Sequence, residues 1–272
     1  MKKKLALFLA TITVCYFGYA FKISLNEENL VFHPKKEITQ TPDLYHLEFQ
    51  DVFFETKDHL KLHGWFFPAN DAQKTLLFFH GNSGNVGSNL ELISLFVTDL
   101  HVNVFGVDYR GFGKSEGRPS EEGLYKDAQA AYEVLTKTRN ISEQNILIFG
   151  QSLGGAIAID LASKRPAGAL IVENTFTCAL DMARKMYPYL PIQLFIKSRF
   201  NSRSKIKTVL YPKLIIHAAQ DETVPFRQGE ELFKLAPSPK QLYVVPGANH
   251  GNNYKIAGPD YVQKLKEFLA SL

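Results

Sequence analysis

Residues 145–164 read NILIFGQSLGGAIAIDLASK. The opening NILIFG is a short apolar run ending on glycine, the pattern of a buried strand. LGGAIAIDLASK follows as a helix whose Gly154, Gly155 and Ala156 are small enough to pack closely on a sheet. Between the two, Gly150-Gln151-Ser152-Leu153-Gly154 makes a G-x-S-x-G motif. A strand turning sharply into a helix at such a motif lifts the serine hydroxyl above the sheet at the helix N-terminus, where it can attack a substrate. This stretch predicts a strand, turn and helix unit and makes Ser152 the candidate nucleophile.

The sequence on either side repeats the alternation. LYHLEFQDVFFET and LKLHGWFFPA read as two strands joined by a turn at Lys57 and Asp58. Strands TLLFFHG, VNVFGVDYR, NILIFG, GALIVEN, PKLIIHAA and KQLYVVPG then alternate with helices over 87–99, 121–137, 153–164, 227–236 and 259–271. Apolar strands spaced by helices predict an α/β fold with a mostly parallel, eight-stranded sheet covered on both faces. One gap breaks the rhythm: about 175–208 holds no strand and is apolar, aromatic and basic together. It reads either as one amphipathic helix on the sheet or as a small lid over a pocket.

A second G-x-S-x-G, Gly113 to Gly117, lies between DYRGFG and Arg118-Pro119, with loop on both sides, so Ser115 lacks the elbow context. Nor is Gly113-Lys114-Ser115 a phosphate loop, since position 108 is Asp where that motif needs Gly.

Activating Ser152 takes a base, and in this architecture the chain order is Ser, acid, His. Only His217 and His250 follow Ser152. His217 ends a buried-looking strand, whereas His250 lies in PGANHGNN, a loop that Gly247 and Gly251 let turn toward the sheet edge; His250 is the candidate base. Among Asp160, Glu173, Asp181, Asp221, Glu222, Glu230 and Glu231, Asp221 sits just past strand LIIHAA at the carboxyl edge where such sites form, with Glu173 the runner-up. The acid holds the imidazole tautomer and stabilises the imidazolium. An oxyanion hole needs two backbone N–H groups. Leu153 supplies one, and the Gly-rich loop 80–85 supplies the other from Asn82, with Ser83 second. His80 is expected to order that loop.

HGNSGN at 80–85, DYRGFGKSEG at 108–117, GQSLGG at 150–155, DETVP at 221–225 and NHGNN at 249–253 together resemble the α/β-hydrolase superfamily, in its branch of membrane-anchored serine hydrolases. The likeness covers about 45–272. It implies ester, thioester or amide hydrolysis through an acyl-enzyme on Ser152, with no cofactor and no metal, and gives Asp108 and Arg110 bracing roles. Small acyl esters or lipid-like molecules are the expected substrates, esters and thioesters ahead of peptides. A serine peptidase or amidase of the same fold is the alternative, and a non-catalytic binding module a further one.

Composition agrees with an enzyme of ordinary size. The chain has 272 residues, 45% hydrophobic and 21% charged, which excludes wholesale disorder. The net charge of +4 comes from Lys2, Lys3, Lys4 and Lys22; the remaining 27 basic residues balance 27 acidic ones. A neutral body lacks the basic footprint of a nucleic-acid binder. Two cysteines, Cys15 and Cys178, make no disulfide framework, and neither CxxC nor HExxH occurs.

Leu5 to Phe21 is a run of 17 uncharged residues behind three lysines. That is the lower limit for a membrane span and long for a signal-peptide core. The expectation is an anchor over 1–22, contacting the membrane through 5–21, a tether over 23–44 and a catalytic domain over 45–272. The lysines place the N-terminus in the cytoplasm and the domain on the other side. Cleavage after Gly18-Tyr19-Ala20 would instead give a secreted protein.

Overall fold

A computed structural model describes residues 2–272. Helix α1 (Lys2–Leu25) leads into a short α2 (Glu27–Val31). The eight strands of the main sheet are β1 (Gln50–Glu55), β2 (Lys61–Phe67), β3 (Thr75–Phe79), β4 (Asn103–Asp108), β5 (Ile146–Gln151), β6 (Ala169–Glu173), β7 (Lys213–Ala218) and β8 (Lys240–Val245). Their spatial order is β1-β2-β4-β3-β5-β6-β7-β8. β2 runs antiparallel to both its neighbours, and every other pairing is parallel. The expected mostly parallel sheet with helices around it is what the chain forms.

Helices α3 (Leu90–Thr98), α4 (Glu121–Glu133) and α5 (Leu153–Ala162) follow β3, β4 and β5. The alternation of side chains along a strand divides the core in two. Leu77 and Phe79 of β3 face one layer with Leu124 of α4 and Ile157 of α5, while Leu76 and Phe78 face Phe96 of α3 and Phe268 near the C-terminus. Both faces of β3 are covered, which is why TLLFF carries no polar alternation. All ten residues of α5 are buried.

Residues 175–208 do not form one long helix. α6 (Ala179–Met186) stops before Pro188 and Pro191, whose rings and missing N–H groups oppose continuation, and a 3₁₀ turn, Ile192–Leu194, and the short α7 (Ser202–Lys205) complete the segment. Beyond it, α8 (Phe226–Leu235), α9 (Asn253–Ala257) and α10 (Pro259–Ala270) close the domain.

Among the described residues α1 is the one helix long and apolar enough to cross a membrane, with mean hydropathy 1.6 and little of it buried. Residues 23–44 are held against the domain. Both Glu27 oxygens accept backbone N–H groups, from Lys197 and Ser198 at 2.7 Å each. His33–Pro34 pairs in parallel with Ser83–Gly84, and the Asn85 amide donates to the carbonyls of Lys35 and Glu37 at 3.1 and 2.8 Å.

Candidate active site

Four loops at the carboxyl ends of β3, β5, β7 and β8 converge on one point, the place where open α/β sheets hold ligands. After β5 the chain turns through Ser152 at φ 53°, ψ −117°, a conformation unfavourable for a residue with a Cβ. The neighbouring glycines make the turn possible. A Cβ on Gly150 would lie 2.1 Å from the Gly154 carbonyl oxygen, and one on Gly154 would lie 2.1 Å from that of Phe79. The segment after β6 fixes the turn: Ser152 N–H donates to the Glu173 carbonyl at 2.8 Å, and the Thr175 hydroxyl donates to the Ser152 carbonyl at 2.7 Å.

His250 lies with Nε2 3.1 Å from Ser152 Oγ and Nδ1 2.7 Å from Asp221 Oδ2. Both distances are within proton-transfer reach. The asparagines of NHGNN shape this loop: Asn249 Oδ1 accepts from the N–H groups of His250 and Glu222 at 2.7 and 3.0 Å, and Asn252 Oδ1 accepts from Asn249 N–H at 2.8 Å. Asp221 has its other oxygen held by the N–H groups of Thr223 and Val224 at 2.9 and 2.7 Å. Its side chain is wholly buried, so its carboxylate is oriented before any substrate arrives.

Glu173 stands elsewhere. It is enclosed behind the elbow, where Tyr261 Oη donates to it at 2.5 Å and Gln151 Nε2 at 2.9 Å. Burial pushes its carboxyl above the ordinary value. His217 also lies apart from the serine, donating from Nε2 to the Val224 carbonyl at 2.9 Å, and burial lowers its pKa.

Gly81 brings the loop after β3 against the elbow; a Cβ there would sit 3.8 Å from Ser152 Cβ. The backbone N–H groups of Asn82 and Leu153 find no acceptor among the described residues, and both residues line the same cavity as Ser152 and His250. Leu153 is the first residue of α5, so the helix dipole adds positive potential there. His80 sits below, 3.6 Å from Asp108, whose Oδ1 accepts Val86 N–H at 2.7 Å. Although burial opposes ionisation of Asp108, the imidazoles of His63 and His80 hold it below its usual range. Arg110 bridges Asp127 and Asp58 at 2.7 and 3.0 Å.

A cavity of about 470 Å³ adjoins the serine, a volume that can enclose a small organic molecule. Its wall is mostly apolar, with Phe176, Met182, Met186, Ile192 and Phe200 from the insertion and Ile23, Leu30 and Val31 from the N-terminal segment. Sequence reasoning did not place that N-terminal segment at the site, because Glu27 meets Lys197 and Ser198 some 170 residues away and no local pattern announces it.

Sheet order and the strand, turn and helix at Ser152 define an α/β hydrolase. Residues 70–209 match the family described as serine aminopeptidase, S33. Protein bem46 of Schizosaccharomyces pombe is 34% identical over 95% of this chain and 90% of its own. The α/β hydrolase domain-containing protein WAV2 of Arabidopsis thaliana is 33% identical, with 97% and 94% covered. Among solved structures, the esterase Pf2001 of Pyrococcus furiosus superposes with a TM-score of 0.74 at 23% identity, covering 88% of this chain and 98% of that one, a likeness of fold. The chain belongs to the S33 family of α/β hydrolases.

Proposed function

We propose that this chain is a serine hydrolase that cleaves carboxylic ester or thioester bonds through an acyl-enzyme on Ser152. The observation that carries the reading is His250 standing between Ser152 Oγ and Asp221 Oδ2, at 3.1 and 2.7 Å. Ser152 attacks the substrate carbonyl as His250 Nε2 takes its proton. Asp221 stabilises the resulting imidazolium. The N–H groups of Asn82 and Leu153 hold the oxyanion. His250 returns the proton to the leaving alcohol or thiol, and water, deprotonated by the same imidazole, releases the acid.

The family description brings an aminopeptidase into consideration as a second reading. Such an enzyme needs a carboxylate free to bind the substrate's amino group. Among the described residues lining the cavity the only carboxylate is Glu27, and both its oxygens already accept backbone N–H groups. This favours an uncharged acyl chain over an amino-terminal peptide. Helix α1 serves as a membrane anchor, with its lysines in the cytoplasm, residues 45–272 as the catalytic domain on the other side and 175–208 as a lid over the cavity. Purified full-length protein given p-nitrophenyl butanoate, a matching thioester and aminoacyl p-nitroanilides tests the assignment. Ester or thioester turnover exceeding anilide turnover is expected, and the reverse order would establish the peptidase.

A further inference from the structure

The insertion meets α1 inside the stretch that has to span a membrane. Tyr16 Oη donates to the Tyr189 carbonyl at 2.5 Å, and the rings of Phe17 and Phe21 each lie 6.4 Å from that of Phe195. The uncharged run is Leu5 to Phe21, 17 residues, and a bilayer of about 30 Å needs roughly 17 or more. No part of the run can be spared, so its last turn and a half lie at membrane depth. Tyr189 and Phe195, touching that part, lie at the same depth. The surface chemistry of the insertion suits this position. Met186, Tyr189 and Leu194 are exposed apolar side chains, 59%, 88% and 68% accessible, and the cations Arg184, Lys197 and Arg199 are exposed beside them. Apolar side chains reaching into the acyl region, with cations beside them that can reach the headgroups, are what an interfacial segment presents.

The cavity reaches the same place. Ile23, two residues past Phe21, and Met186, three before Tyr189, both line it, and its apolar wall continues from them to Ser152. An acyl chain can pass from the bilayer to the serine against protein surface throughout. We infer that the substrate is an ester of a lipid resident in the bilayer, whose chain enters between α1 and the insertion. This rests on the assignment of Ser152 as nucleophile.

Two measurements on the full chain in phosphatidylcholine liposomes test it. Trp65 is the only tryptophan and is buried, so Leu194→Trp adds one reporter on the insertion. Doxyl-labelled phosphatidylcholine should quench the added emission by about half or more. Quenching no greater than that of the unmodified protein overturns the membrane placement. In the second, p-nitrophenyl dodecanoate and acetate are compared for wild type, Leu30→Trp and Leu30→Ala. Each methylene buried in the cavity raises kcat/KM roughly fourfold, so filling the wall with tryptophan should lower the dodecanoate to acetate ratio tenfold or more, and alanine should leave that ratio at or above the wild-type value. The same ratio in all three proteins overturns the inference. A protein that is quenched in liposomes and yet leaves Ser152 unreactive toward a fluorophosphonate would count against the hydrolase reading instead, so the two failures are separable.

Discussion

The backbone N–H of His33 donates to the Asn82 carbonyl at 2.8 Å, and the Asn82 side chain returns a hydrogen bond to the Val31 carbonyl at 2.9 Å. The segment leaving α1 thereby grips the loop whose amide is assigned to the oxyanion hole. Asn85 completes the grip through Lys35 and Glu37. Asn85→Ala should cost about 1 kcal/mol of stability through the loss of its two hydrogen bonds to that segment. It should also lower kcat more than it raises KM, because a loosened loop fails chiefly in the transition state. Steady-state kinetics on soluble esters checks this, and a rise in KM alone would assign the loop to binding.

Ser115 offers an internal control for Ser152. Its hydroxyl is buried, donating to the Asp108 carbonyl at 2.7 Å and accepting from His63 N–H at 2.9 Å. Ser152→Ala should reduce turnover by several orders of magnitude. Ser115→Ala should cost stability, about 1–3 kcal/mol, with activity of the folded fraction preserved. Comparable loss of turnover per folded molecule in both variants would remove the distinction.

The two carboxylates weighed as the acid separate cleanly. Asp221→Asn should keep the fold and lose about 10⁴-fold in kcat, as the wrong imidazole tautomer is then favoured. Glu173→Gln should retain most activity, and its effect should be on stability. The folded-state pKa of Glu173 is raised by burial, so the native state binds more protons than the unfolded chain between the ordinary value and the raised one. That contribution is present at low pH and is lost as pH rises through the raised pKa. The stability of Glu173→Gln relative to wild type should therefore improve from pH 4.5 to 7.5 in urea melts. A constant difference would show that Glu173 is ionised in the fold at no cost.

Arg110 holds Asp127, which is fully buried, through Nε at 2.9 Å and the backbone N–H at 2.8 Å. Arg110→Met leaves that buried carboxylate without its countercharge, though still bonded to the backbone N–H, and should destabilise by about 3–5 kcal/mol. Combining it with Asp127→Leu should recover part of the loss, as thermal melts would register. An additive double variant would show the pair to be uncoupled.

The parallel strands and the elbow were legible because each is local: uninterrupted apolar runs mark strands buried on both faces, and the glycines at 150, 154 and 155 stand where a Cβ would strike backbone or Thr175. His250 and Asp221 could be ranked because chain order and strand ends restrict the choice. The route of 175–208 could not be read, since its prolines break a helix without saying where the pieces dock. The placement of 23–38 depends on Glu27 and Asn85, whose partners are remote in sequence. Glu173 with Tyr261 is of the same kind, a contact across 88 residues that no periodicity encodes.

Activation of Ser152 by His250 is tested at the serine itself by locating the site of covalent modification by a fluorophosphonate with peptide mass spectrometry. A single adduct on Ser152 is expected in the wild-type protein, with its near disappearance in His250→Ala under the same exposure. An adduct on Ser115, or equal labelling of Ser152 with and without the imidazole, would contradict it.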